Sequence, residues 1–551
     1  MSVNLNTVKN DQGLKPKPAW NVFRRFGRSE DGSLIIFSLF LLIMMLIISG
    51  MAVDLMRTET QRSRLQSTLD RAILAGASLN QTLDSQAVVL DYFNKAGFAD
   101  SITAGDIIIA QSGSGKAVTA SASIQVNTFF MNMIGIDTLK APAIGTAVES
   151  KTEVEISLVV DTSGSMGGTS SSGNSKIDDL KAAAKEFVYL MQCDPDATAP
   201  FDGNCTIDPD SVSVSLVPYN EQVLLGETLI QQFNTTEEHA NSSCIDFEVA
   251  DYSVVPVELD PLLLGGVSDP TPNLRRSATI DPWGNADNAV DWRRACSPYS
   301  QRTVSAYENN YQDLEVAIDA LYASGYTSIE LGMKWGSALL DPAFRPAVTN
   351  MADNLGIIST NFVGRPFDYN EPNVKKVIVL MTDGKNTTQH LVRDGFRAGP
   401  SPFYENSATD SHAGHVSVFD PVSNDYYWVE HDTHNPAPDG NADAAQLSYP
   451  EFWDQYSWDY YLTVDGPANL PAAVDQVFNA AKDTRLEAMC NEAKAQGIAV
   501  YTMGFETSTA SSLVMQSCAS TPSHFYDVDG TDIGLAFHSI ANTINALKLT
   551  N

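Results

Sequence analysis

The sequence predicts an α/β protein: a doubly wound, mostly parallel sheet with two long insertions, preceded by a single membrane-spanning helix and a small α+β stem. Three observations predict it. The run Gly32–Val53 is 22 residues without a charge. From residue 154 onward, short apolar runs suited to buried parallel strands alternate with helical stretches. Two stretches, 193–310 and 385–480, are rich in Pro, Asn, Asp, His and aromatics and break that alternation. Both are too long for ordinary connections, which marks them as ordered insertions.

A helix of 22 residues rises about 33 Å, enough for a hydrocarbon core of about 30 Å. Before it stand Lys9, Lys15, Lys17, Arg24, Arg25 and Arg28 against Asp11, Glu30 and Asp31. Positive-inside logic therefore makes residues 1–31 a cytoplasmic basic tail and 32–53 a transmembrane helix, with the bulk of the chain outside. A cleaved signal peptide is the plainer alternative, but the leading region is long and the apolar run exceeds the usual 7–15 residues. After the run, Leu55, Leu65, Leu69, Ala72, Ile73 and Gly76 recur near helical spacing, so the helix is expected to continue outward. Ile107-Ile108-Ile109, Val118–Ser121 and Ile124-Gln125-Val126 then read as strands, making 54–150 a stem of helix plus strands.

The chain has 551 residues, 43% of them hydrophobic and 18% charged, which supports a sizeable core and argues against wholesale disorder. A net charge of −33 repels phosphate backbones, so nucleic acid is not an expected partner, whereas divalent cations and basic surfaces are compatible. Cys193, Cys205, Cys244, Cys296, Cys490 and Cys518 all fall on the proposed outer side. An even count in an exported region points to disulfides, with 15 possible pairings. Proximity along the chain favours Cys193–Cys205, Cys244–Cys296 and Cys490–Cys518, with buried free thiols the alternative.

Within 151–551, Ile156–Val160 and Val377–Met381 read as central strands, Gly497–Gly504 as another after a helical stretch 481–495, and Leu535–Leu547 as a last helix. The first strand ends in Asp161-Thr162-Ser163-Gly164-Ser165, and the second in Thr382-Asp383-Gly384. Ligands in doubly wound sheets bind at the carboxyl ends of strands. Asp161, Ser163, Ser165 and Asp383 there, with Thr327 at the start of a helix through Trp335, offer hard oxygen ligands suited to Mg²⁺, with Mn²⁺ or Ca²⁺ as alternatives.

These five residues, in this order, resemble the metal-ion-dependent adhesion site of von Willebrand factor A domains. The resemblance implies Mg²⁺ held partly through water, and a coordination position left for an acidic residue of a partner protein. It also implies metal-bridged adhesion, with no catalytic residues. The basic tail, the single span and the helix with Leu65-Gln66-Ser67-Thr68-Leu69-Asp70-Arg71-Ala72 are similar to TadE/TadG-like proteins of tight-adherence (Flp) pilus assembly. So is the stretch Cys490–Leu549. The similarity covers 20–80, 154–192, 311–384 and 481–549. It implies a bacterial inner-membrane protein with a periplasmic A domain, bound to pilus or secretion components. Prepilin-like members carry a Glu five residues after a cleavable Gly; here Phe37 stands five after Gly32, so that processing is not implied.

The second insertion holds five of the eight histidines: His390, His412, His415, His431 and His434. A polar loop with surface histidines is the expected reading, and it is expected to roof the site after Asp383. The rival is a catalytic zinc site, which would make the protein an exported hydrolase; no HExxH motif supports it. Another alternative is a purely structural pilus anchor with a vestigial metal site. Tyr426, Tyr427, Trp428, Trp453, Tyr456, Trp458, Tyr460 and Tyr461 supply either a recognition surface or a core for the insertion. Ser112–Lys116 lacks the glycine and hydroxyl spacing of a P-loop.

Overall fold

The computed structural model describes residues 31–549, apart from 79–82, 113–114, 151, 198–200, 202, 209, 266–273, 284–292, 299–300 and 409–412. The expected basic tail, up to residue 30, and His412 lie outside the described residues. The chain divides into two compact units, 1–150 and 151–551.

The first unit is organised by α1 (Asp31–Ala77), one helix of 47 residues that is long and apolar enough to cross a membrane. Leu34 to Leu46 present exposed side chains all round, nearly all of them apolar. Beyond Asp54 the same helix becomes one-sided and buries Leu65, Leu69, Ala72, Ile73 and Ala77. They pack on an antiparallel sheet of β1 (Ile107–Ser112), β2 (Gly115–Asn127) and β3 (Thr138–Ser150), in that order. The sheet offers Val118, Ala120, Ala122, Ala143 and Ala147, every second residue, so a period of two meets a period of 3.6. Small side chains let the backbones approach: a Cβ on Gly145 would lie 3.0 Å from Ile73 Cδ1. Helix α2 (Ser85–Lys95), capped by Asp84 on the Ala87 amide (2.8 Å), closes this core with Val89 and Phe93.

The second unit is built on six strands: β4 (Glu153–Asp161), β5 (Val212–Tyr219), β6 (Ser305–Glu308), β7 (Val374–Thr382), β8 (Ala499–Phe505) and β9 (Phe525–Val528). Their order is β9-β8-β7-β4-β5-β6, parallel throughout except for the antiparallel edge strand β6. Helices α3 (Lys176–Gln192), α4 (Tyr311–Asp319), α5 (Ile329–Ala338), α6 (Asn479–Ala495), α7 (Thr509–Cys518) and α8 (Asp532–Leu549) cover both faces. Alternate residues of β4 serve each side. Leu158 and Val160 join Leu180, Phe187, Leu314 and Phe537 of α3, α4 and α8. Val159 joins Leu331, Trp335, Met489 and Met515 of α5, α6 and α7.

One sequence expectation is corrected. Residues 193–310 are not wholly an insertion, because β5 and β6 come from within them and β5 is an internal strand. Its pattern, Val-Ser-Val-Ser-Leu-Val, imitates a half-exposed strand, yet every residue is buried. The serines are tolerated because each is bonded: Ser215 Oγ accepts from the Tyr307 amide (3.1 Å) and Ser213 Oγ from Arg365 (3.1 Å).

Residues 389–477 have their own sheet and helices, apart from the central sheet. An antiparallel sheet ordered 433–435, 425–428, 416–420, 400–406, 444–448 carries the helices Tyr449–Gln455 and Trp458–Asp465. Tyr427, Trp453, Tyr456, Tyr460 and Tyr461 are buried together with Tyr449 and Phe452, and Trp458 packs against them, so these aromatics supply a core for the insertion, whereas Tyr426 and Trp428 are half-buried outside it. Ala278, Ile280 and Ala295 of the first insertion enter the same core. Arg294 also pairs with Asp454 (2.8 Å), and the Trp458 amide donates to Asp281 O (2.9 Å). All three disulfides favoured by proximity are formed: Cys193–Cys205, Cys244–Cys296 and Cys490–Cys518.

Helix α5 can lie on the sheet only because it carries glycines on that face. A Cβ on Gly332 would sit 2.6 Å from Tyr219 Cδ1, and one on Gly336 2.5 Å from Val159 Cγ2. In an open helix, Gly→Ala stabilises by about 1 kcal/mol. Gly336→Ala is expected to destabilise instead, by about 1–3 kcal/mol, because the extra methyl forces a packed core apart. The urea midpoint read by circular dichroism checks the sign.

Candidate functional site

Strands β4 and β7 are hydrogen-bonded neighbours, with Val160 opposite Met381, so their carboxyl ends bring Asp161 and Thr382-Asp383 side by side. Asp161 is fully buried. Its Oδ1 accepts from the Ser163 amide (2.8 Å) and its Oδ2 from Thr382 Oγ1 (2.7 Å). Ser163 Oγ lies 3.1 Å from Ser165 Oγ, which donates to Asp383 Oδ1 (2.6 Å). Four of the five sequence-predicted residues thus form one connected set of oxygens.

Thr327 reaches the same region from a third loop. The Gly164 amide donates to Gly325 O (2.9 Å), docking the two loops on each other. Gly325 has φ +80°, and a Cβ there would come 2.7 Å from Asn220 Nδ2, so glycine is required on both counts. The Thr327 amide donates to Thr387 Oγ1 (2.7 Å), while its carbonyl accepts from the Thr387 amide (3.0 Å) and Lys482 Nζ (2.7 Å). The Ile329 amide at the start of α5 donates to Asn386 Oδ1 (2.8 Å), which ties the loop after Asp383 to the helix after Thr327.

The electrostatics are those of crowded negative charge. Burial, reinforced by the Asp383 carboxylate, pushes the Asp161 carboxyl up to about 7. Lys176 Nζ sits 3.0 Å from Asp383 Oδ2 and 3.8 Å from Glu506 Oε2, a cation beside the oxygen set that no motif announced. Beneath the Thr327 loop, Lys482 is fully buried and donates to Thr327 O, Ser328 Oγ (2.6 Å) and Thr387 O (2.9 Å). Its ammonium lies 3.6 Å from Glu330, whose carboxyl burial raises to about 7 while the lysine's charge pulls it back.

The insertions border this region. The Tyr326 ring packs against Trp283 (4.3 Å between centroids) and His390 (5.1 Å), and His390 against Trp458 (4.9 Å). His390 is buried and bonded to Glu221 (2.8 Å), which corrects the expectation of surface histidines at that position. His431 and His434 do not act as a pair. His434 bonds Asp425 (2.8 Å), whereas His415, His431 and Asp439 bring one ligand atom each to within 4.8 Å of one another.

Strand order, two-sided helix cover and the Asp161–Asp383 edge define an α/β fold of von Willebrand factor A type. Residues 32–79 match the family model described as "Putative Flp pilus-assembly TadE/G-like". No curated protein matches the chain. Among solved structures, the von Willebrand factor domain of the type V pili tip protein Mfa5 from Porphyromonas gingivalis is 16% identical (TM-score 0.30), with 72% of this chain and 97% of that one covered. The pilus adhesin SpaC from Lactobacillus rhamnosus GG is 13% identical (TM-score 0.29), covering 81% of this chain; the match spans about a third (34%) of SpaC. Proximal thread matrix protein 1 from the mussel byssus, in a structure with a zinc-occupied MIDAS motif, is 10% identical (TM-score 0.25), covering 71% and 46%.

Because Lys482 holds the Thr327 carbonyl, Lys482→Met is expected to loosen that loop and leave Glu330 buried without its partner. The loss is about 3–5 kcal/mol of stability, the cost of breaking a buried pair from one side. Replacing both residues (Lys482→Met with Glu330→Met) should recover part of it. Chemical denaturation of the single and double variants checks both statements.

Proposed function

We propose that this is a membrane-anchored protein that binds a partner protein through a divalent metal ion, in pilus assembly or surface attachment. The observation that carries this reading is the linked set Asp161, Ser163, Ser165 and Asp383 at one strand-end pair, with Thr327 on the loop docked against it. The donors are all hard oxygens, and two of them are carboxylates facing each other in a buried place. That set fits Mg²⁺, or Mn²⁺ and Ca²⁺, better than a soft metal. When bound, the ion would supply a Lewis-acidic position for an acidic side chain of the partner. The chain's own residues orient the donors: Thr382 and the Ser163 amide fix Asp161, Ser165 links to Asp383, and Lys482 steadies the Thr327 loop.

The anchoring half of the reading rests on the charge-free run 32–53, the basic residues before it and the cystines beyond it. It puts residues 1–31 in the bacterial cytoplasm and the bulk in the periplasm, with 54–150 as the stem and 151–551 as the binding domain. The protein's partners are then pilus or secretion components, and its role is binding, not catalysis.

Calorimetric titration of Mn²⁺ and Mg²⁺ into the full chain in nanodiscs tests the metal. One saturable site is expected, absent in Asp161→Ala and in Asp383→Ala while circular dichroism stays native; binding unchanged in both variants would overturn the proposal. Zinc retained by Asp161→Ala and lost in His415→Ala would instead mark the His415–His431–Asp439 set. Lys176 brings positive charge against Asp383, so Lys176→Met is expected to tighten divalent binding about tenfold, or about 1.4 kcal/mol, read in the same titration.

A further inference from the structure

We propose that the turn between β2 and β3, residues 128–137, dips into the interfacial layer of the lipid bilayer beside the point where α1 leaves it. The inference rests on the membrane-anchored reading of α1. The turn runs Thr-Phe-Phe-Met-Asn-Met-Ile-Gly-Ile before Asp137, without a charge, and a soluble hairpin would place polar residues there. Five of its large apolar side chains are exposed: Phe129 (66%), Phe130 (38%), Met133 (76%), Ile134 (47%) and Ile136 (38%).

The turn is held, and held at one level of the helix. Asp54, the first charge after the apolar run, is buried and accepts from the amides of Phe129 (2.9 Å), Phe130 (2.7 Å) and Met131 (2.8 Å). The Phe130 ring packs where a Cβ on Gly50 would stand, 2.3 Å away, and the Arg57 guanidinium lies 3.9 Å over the Phe129 ring. Gly50, Asp54 and Arg57 are successive turns of α1 at the end of its apolar stretch, so the exposed side chains of the turn extend the apolar surface of the helix sideways at that depth.

The geometry along the stem agrees. Gly76 faces Val118, and Gly50 faces Phe130. Between those levels the helix advances 26 residues, about 39 Å at 1.5 Å each. The strand advances 12, about 40 Å at 3.3 Å each. The hairpin therefore runs beside the helix from the stem core down to the end of the apolar run. Aromatic side chains beside a cation, with aliphatic ones further out, suit the boundary between headgroups and acyl chains. Ile144 and Val148 are also exposed (70% and 65%), but Ile144 pairs with Ser121, nine residues up the hairpin from Phe130 and about 30 Å away along the strand, out of reach of lipid.

The test uses the full chain in vesicles of phosphatidylethanolamine and phosphatidylglycerol. Single cysteines replace Met133, Ile144 or Leu42 (Met133→Cys, Ile144→Cys, Leu42→Cys), and each is labelled with an environment-sensitive fluorophore. Spin-labelled lipids then act as quenchers. The Met133 and Leu42 labels are expected to be blue-shifted and quenched at least threefold, and the Ile144 label to behave as in water. A Met133 label left unquenched while the Leu42 label is quenched would overturn the proposal, whether the turn lies in water or against a second copy of the chain. An unquenched Leu42 label would overturn the anchoring reading itself, and this proposal with it. Asp54→Ala should free the turn and halve the quenching at Met133 without changing it at Leu42; unchanged quenching at both would remove Asp54 as the positioning residue.

Discussion

Asp161 ends its strand with no exposure to solvent, and the surrounding chain is arranged to tolerate that charge. A carboxylate taken out of water costs several kcal/mol unless its oxygens are bonded and its charge is answered. Here both oxygens are bonded, one to the loop that follows and one to the neighbouring strand through Thr382. The strand pair and the serine loop are consequently fixed relative to one another by a single side chain.

The same logic recurs away from the edge. Lys376 meets Glu155 in the interior and also donates to Leu340 O (2.9 Å), while Arg365 pairs with Glu153. Lys334, buried on α5, donates to four carbonyls between Asp251 and Pro256, and burial lowers its ammonium to about 8. Each of these cations fastens an irregular segment to a regular one. The long segments between strands need such fastening because their backbone carbonyls have no ladder to join.

The parts legible in the sequence were those with local signatures. Val377–Met381 is a continuous apolar run, and the first site loop is a short hydroxyl-rich motif after another such run, so both could be read directly. Strand β5 was hidden because burial of Ser213 and Ser215 depends on Arg365 and on the Tyr307 amide, far away in the chain. Lys176, Asn386 and Lys482 were equally silent. In sequence they look like the solvated face of a helix or a polar loop, and only the fold shows that Lys482 points inward beneath Thr327. The histidine spacing misled for a related reason: His431 finds His415 across a hairpin, not His434 three residues on. Proximity along the chain was a sound guide to the cystines, since each joins segments separated by only 12, 52 or 28 residues.

The shared core of Ala278, Ile280 and Ala295 with the aromatics around Phe452 has a consequence for how such a protein changes over time. Two segments separated by β6, α4, α5 and β7 have become one cooperative body. Neither can be trimmed without exposing the apolar face of the other. Loss of one therefore destabilises the other, and substitutions in one are constrained by packing in the other. What looks in the chain like two independent elaborations is, in physical terms, a single added module entered twice.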